Sequence, residues 1–201
     1  MLKKKLGIEA IEIERDVITF SFRLLKDYFK ISSTLIIPEG CKRIGNFAFQ
    51  DCWWLEKVEI PKSVKVIGKA VFGECGSLKK IVIPESVKKI GYHTFVGCRE
   101  LEKVVIPKSV KKIEDGLFKE CKKLKKVEIP EGVMEIGTWT FKGCEELMEV
   151  IIPESMKSIG SAAFIGCRKA TIILKKPKSE FEKIGDWAFG SVKDVKEEIR
   201  N

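Results

Sequence analysis

Apolar and polar positions along residues 32–176 follow one order that returns every 23 residues. The unit reads C-x-x-L-x-x-V-x-I-P-x-S-V-x-x-I-G-x-x-A/T/V-F-x-x. Its V-x-I part alternates, the spacing of a strand with one buried face, and its β-branched residues suit a pleated surface. Proline lacks the N–H that a ladder needs and ends the strand. A second short apolar stretch, V-x-x-I, follows, and I-G-x-x-x-F then turns the chain. Glycine is expected there for a bend with positive φ, with phenylalanine filling the space beneath it.

The columns are regular. Proline stands at Pro38, Pro61, Pro84, Pro107, Pro130 and Pro153, and Pro177 comes one residue late. Phe49, Phe72, Phe95, Phe118, Phe141 and Phe164 share one column, and Cys52, Cys75, Cys98, Cys121, Cys144 and Cys167 another. Leucine runs from Leu55 to Leu147, with Ala170 in the last slot. Glu114 interrupts the glycine column of I-G. A unit this short cannot bury its apolar face alone, whereas stacked units share one core. The expectation is a right-handed, parallel, β-rich solenoid, with one unit per rung and short turns or helical segments between strands. Rungs should lie about 4.8 Å apart.

Solenoid ends cap the core and depart from the repeat. Residues 1–31 read as a degenerate capping repeat, with a β-hairpin ("IEIE", "VITFSF") and a short helix as the alternative. Residues 32–176 form the solenoid of about six regular repeats. Residues 177–201 read as a partial repeat and a closing helix, from the N-cap Ser191 and the spacing of Val192, Val195 and Ile199.

This pattern resembles the BspA-like class of leucine-rich repeats, with I-P closing the strand and I-G-x-x-A-F-x-x-C on the return. The resemblance covers about residues 31–176. It implies a leucine-rich-repeat solenoid acting in protein interaction or adhesion, in a family often secreted or displayed on microbial surfaces.

Composition narrows the setting. The chain has 201 residues, 44% hydrophobic and 33% charged, which suits a folded domain. No apolar run approaches the roughly 18 residues of a membrane span. Glu9, Glu12 and Glu14 interrupt the segment that a signal peptide would need. The protein is therefore expected either to act inside the cell or to have had an export signal removed. The net charge of +9 favours acidic partners, although lysine also serves solubility.

The residues that could carry chemistry are sparse. None of the seven cysteines sits in a C-x-x-C pair, and one histidine cannot complete a usual zinc set. The periodic cysteines read as a buried ladder of reduced thiols, and Cys41 as a core substitution in a column of valines. His93 shares its column with Phe47, Ala70, Gly116, Trp139 and Ala162 and has no nucleophile beside it. No catalytic motif is present, so neither an enzyme nor a cofactor is expected.

Binding should then use the variable slots. Outward strand residues Glu59, Val82, Val105, Glu128 and Ile151 form one candidate surface. Lys57, Lys80, Lys103 and Lys126 form a second, beside a further column of Lys42, Lys65, Lys88, Lys111 and Lys157. Flanking columns alternate in sign, Glu56, Lys79, Glu102, Lys125 and Glu39, Lys62, Glu85, Lys108, Glu131, as if paired between rungs. Trp53 and Trp54 replace polar residues on one turn, either packing on the N-terminal cap or contacting a protein or sugar. The reading is a scaffold whose partner is another protein. A structural or self-associating module, a polyanion-binding module and a consensus-type designed scaffold are its alternatives.

Overall fold

The structure is a computed structural model that describes residues 11–14, 17–20 and 33–199. Each repeat makes one turn of a parallel β-solenoid. The V-x-I segments form an eight-stranded sheet from Thr34–Ile36, through Lys57–Glu59, Lys80–Val82, Lys103–Val105, Lys126–Glu128, Glu149–Ile152 and Thr171–Leu174, to Asp194–Glu197. Residues 23 apart face one another, as in Leu35 opposite Val58 and Val58 opposite Ile81. Alternation then buries the middle residue of each strand and exposes its neighbours.

The V-x-x-I segment supplies a two-residue strand on the second side, such as Val66–Ile67 or Lys89–Ile90. The third side holds no strand and no helix among the described residues, so the helical segments allowed for each rung are replaced by tight turns. A third ladder of hydrogen bonds still joins the rungs there. Phe47 N–H donates to Lys69 O at 2.7 Å, Phe49 to Val71 O at 2.9 Å and Asp51 to Gly73 O at 2.8 Å, and the pattern repeats up the stack.

Between the three sides lies one core. Phenylalanine rings from Phe49 to Phe189 form an unbroken stack, with centroids 5.0 to 6.1 Å apart and planes within 16° of parallel. The cysteines lie beside it, all buried and none in a disulfide. They are more than small hydrophobes. Each thiol from Cys75 to Cys167 donates to the carbonyl of the phenylalanine one rung before, at 3.0 to 3.2 Å. Burial pushes the Cys52 thiol up to about 12 and holds Cys75, Cys98, Cys121 and Cys144 well above the ordinary thiol range.

The left-handed backbone is not where the sequence places it. The glycines of I-G have no positive φ. Instead φ lies between +45° and +59° at Phe47, Ala70, His93, Gly116, Trp139, Ala162 and Trp187. A second left-handed column runs through Asp51, Glu74, Gly97, Glu120, Gly143, Gly166 and Ser191. The I-G glycine serves close approach, since a Cβ on Gly68 or Gly160 would meet the backbone of the rung before.

Glu114, which has a Cβ, marks a seam. Gly68, Gly91, Gly137, Gly160 and Gly185 each donate to the isoleucine carbonyl of the rung before, and no such bond joins Glu114 to Ile90. The short strands accordingly separate into a five-stranded and a four-stranded sheet between Lys89–Ile90 and Lys112–Ile113.

Both ends use strands. Ile11–Glu14 and Val17–Phe20 pair antiparallel as a hairpin, and the second of these strands runs parallel to Arg43–Ile44. Ile18 continues the short-strand sheet opposite Ile44. The short helix considered after this hairpin lies outside the described residues. The expected closing helix is instead the edge strand Asp194–Glu197. Lys193 and Asp194 N–H reach Ala170 O, and the strand runs on in register with Thr171–Leu174. The open edge of the Thr171–Leu174 strand outweighs the helical spacing, and charged Asp194, Lys196 and Glu197 blunt the new edge.

Candidate binding surfaces

The long sheet carries the first surface. Its middle outward row reads Ile36, Glu59, Val82, Val105, Glu128 and Ile151, residues 23 apart held on one line by parallel pairing, and Ile173 continues it 22 residues on as a buried member. Val82 is 77% exposed, and Ile36, Val105 and Ile151 are all more than 40% exposed. A shallow groove of about 410 Å³ lies beside this row, bounded by Val105, Lys108, Lys126, Glu128, Pro130 and Ile151.

Three of the four lysines in the row on this sheet are ion-paired. Lys57 Nζ lies 2.7 Å from Glu59 Oε1. Glu128 Oε1 lies 3.2 Å from Lys103 Nζ and 3.4 Å from Lys126 Nζ. These two ammonium groups, Lys103 above all, hold the Glu128 carboxyl below the usual carboxylate range. Lys80 is the member of the row with no ion pair among the described residues. The sheet therefore offers aliphatic side chains edged by paired charges, and not the bare cationic ladder expected from the spacing.

The flanking columns pair only in part. Lys79 reaches Glu56 at 3.6 Å. In the other column the carboxylates turn to backbone instead. Glu85 Oε2 accepts from Lys108 N–H at 3.0 Å, and Glu131 accepts from Glu154 and Ser155 N–H at 3.3 Å each. Proline has just ended the strand at these positions, so the N–H groups have left the ladder and need another acceptor.

The tryptophans divide. Trp54 is half-buried against the core, and Trp53 stands 59% exposed with its ring edge-on to Trp54 at 5.9 Å. The His93 turn brings together rings that the sequence treats as unrelated. Tyr92 packs edge-on to His93 at 5.5 Å, and Lys69 Nζ lies 4.7 Å from the Tyr92 ring centroid. Lys119 and Lys142 each approach the Trp139 ring to 5.8 Å. The imidazole of His93 rests over Gly116, where a Cβ would collide with it. Burial and the Lys119 charge lower the pKa of His93, against the opposing pull of Asp115. Large and small residues thus alternate in this column because one ring covers the next rung. The signal was present in Ala70, Gly116 and Ala162 between the rings of Phe47, His93, Trp139 and Trp187, but left-handed backbone has no single residue signature.

Comparison with known proteins agrees with this geometry. The family model for the BspA type leucine-rich repeat region matches in six copies, over residues 3–125 and 112–199. The chain is similar to a solved leucine-rich repeat protein of T. pallidum, with a TM-score of 0.75 and 26% identity, covering 90% of this chain and 84% of that one. A leucine-rich repeat protein of Bacteroides ovatus has a TM-score of 0.51 at 26% identity, over 84% of this chain and 61% of that one. One from Eubacterium ventriosum shares the fold at 24% identity and a TM-score of 0.69, over 82% of this chain and 44% of that one. No curated protein matches the chain significantly.

Proposed function

The chain belongs to the BspA-type leucine-rich repeat family, and from that premise we propose that it is a non-enzymatic scaffold whose long sheet binds another protein. The observation that carries this reading is the aliphatic row Val82, Val105 and Ile151 on an outward sheet face. A strand that needs only β-propensity there could use threonine, and the Glu59 and Glu128 slots of the same row are polar. Adjacent exposed aliphatics rimmed by ion pairs have the anatomy of a modest protein interface, with an apolar centre and a polar rim. Adhesion is one form that such binding could take.

The test uses the intact chain beside two variants, Val82→Glu/Val105→Glu on the row and Lys122→Glu/Lys169→Glu away from it. Cross-linked partners identified by mass spectrometry should be lost from the first variant and kept by the second. Partners retained by both would move the site off this sheet. Light scattering of the intact chain at several concentrations separates a partner protein from a second copy, since a self-associating module would rise in mass and the row variant would not.

A further inference from the structure

The second side of the solenoid holds a different surface. Between each proline and the I-G position, the four rungs 38–45, 61–68, 84–91 and 107–114 carry nine lysines and arginines against three glutamates. The next three, 130–137, 153–160 and 177–185, carry three against five. A net +6 therefore lies on four consecutive rungs of one side, out of +9 for the whole chain.

Up to Lys89 these cations stand in line because the short strands pair in register, and the continuous eight-stranded sheet carries the rung spacing across the seam to Lys111. Val66 faces Lys89 and Arg43 on either hand, which sets Lys65 beside Lys88. Their side chains are exposed. Three rung steps of about 4.8 Å place Lys42 and Lys111 about 14 Å apart. Among the described residues Arg43, Lys62, Lys65, Lys88, Lys89 and Lys111 make no ion pair. The nearby carboxylates are engaged away from this column: Glu85 holds the Lys108 N–H, and Glu114 and Glu135 pair with Lys112 at 3.7 and 3.3 Å. Beyond the rung of Lys111 the column changes character, with Met134 and then Lys157, which pairs with Glu182 at 2.9 Å.

The same fold thus treats two lysine ladders in opposite ways. The ladder on the long sheet receives Glu59 and Glu128 as partners. On the short strands Lys65, Lys88 and Lys111 are left without a carboxylate partner among the described residues, although like charges one rung apart repel. Solubility would be served by lysines at any register and does not call for their concentration on four rungs.

We propose that this stripe binds a linear polysaccharide that carries an anionic group, sulfate or uronate, along its length. The stripe is straight and about two residues wide, so it suits a chain laid along the solenoid axis. It has one arginine and no aromatic ring, so bases would find nothing to stack on or to bridge with a bidentate contact. It has no exposed large apolar side chain to enter a bilayer. Lysine, a point charge without a preferred fork, suits anionic groups presented at varying angles.

The test measures binding of size-defined heparin and of polygalacturonate at 150 mM salt. The variants are Lys65→Glu/Lys88→Glu/Lys111→Glu and, with the same charge change, Lys57→Glu/Lys80→Glu/Lys103→Glu. The first should weaken binding at least tenfold and flatten the dependence of log affinity on log salt by about two to three. The second should weaken it less than threefold. Tighter binding of heparin assigns sulfate, and tighter binding of polygalacturonate assigns uronate. Absence of binding to both, equal loss in the two variants, or tighter binding of duplex DNA would overturn the proposal. If the glutamate triple melts early, Lys65→Gln/Lys88→Gln/Lys111→Gln removes the charge without adding repulsion and must show the same loss.

Discussion

Gly91 stacks on Gly68 so closely that a Cβ on Gly91 would lie 2.6 Å from the Gly68 carbonyl carbon. Backbone occupies that space, and no rotamer change can clear it. Gly91→Ala should therefore destabilise the fold by about 1–3 kcal/mol, the usual range for overpacking. Gly76, with nothing within 4 Å of its Cβ position, is the matched control. Gly76→Ala should stay within about 0.5 kcal/mol. Urea titration of both variants decides the matter, and equal midpoints would mean that the glycine column is not there for close approach.

Glu114→Gly should repair the seam. The gain is one hydrogen bond to Ile90 O, about 1 kcal/mol, and the cost is glycine's extra chain entropy, about 0.5–1 kcal/mol. Global stability should then change by less than about 0.5 kcal/mol, and a melting curve is the wrong observable. Amide exchange is the right one, because it reads local opening. The amides of 111 and 114 should exchange faster than their equivalents at 88 and 91 in the native chain, and slow to match them in the variant.

The repeat was legible because every rung repeats the same packing problem, so Phe, Cys, Leu and Pro columns recur at one spacing. What was not legible depends on competition between equal local signals. Val192, Val195 and Ile199 fit a helix, but the unpaired edge of Thr171–Leu174 offers backbone partners that a helix would leave open. Left-handed positions hide because Phe47, Ala70, His93 and Trp187 share a backbone and no chemistry. The two lysine ladders look alike in sequence. Only their neighbours in space separate them, since Glu128 reaches a lysine on its own strand and another on the strand before. Which surface binds, and what it binds, was never encoded in the repeat, because binding uses the slots that the repeat leaves free.

Phe118 is stacked between Phe95 and Phe141, each 5.6 Å away, and is fully buried. Phe118→Ala should cost about 3–5 kcal/mol, combining lost transfer energy with a cavity that flanking rungs cannot close. Phe47 is half-exposed, and alanine already occupies its column at Ala70. Phe47→Ala should cost no more than about 0.5 kcal/mol. Comparable losses in the two would show that the ring stack is not what holds the rungs together.

The thiol ladder gives the fold a ceiling in pH. Burial keeps Cys52 and its neighbours protonated well above the ordinary thiol value of 9.0. The unfolded chain loses those protons first, so the unfolded state gains with rising pH. Stability should be complete below about pH 8 and should fall from there, through the unfolded thiol value, to about pH 12, where Cys52 titrates in the folded protein. The slope approaches about 1.4 kcal/mol per pH unit for each such thiol once the pH is past its unfolded value. Urea midpoints at pH 7, 8 and 10 should be nearly flat over the first interval and drop over the second. Cys98→Ser/Cys121→Ser should shrink that drop while lowering stability at neutral pH. A disulfide reagent should find seven thiols in the denatured chain and almost none in the native one at pH 8. A native chain that reacts fully at that pH would place the thiols outside the core.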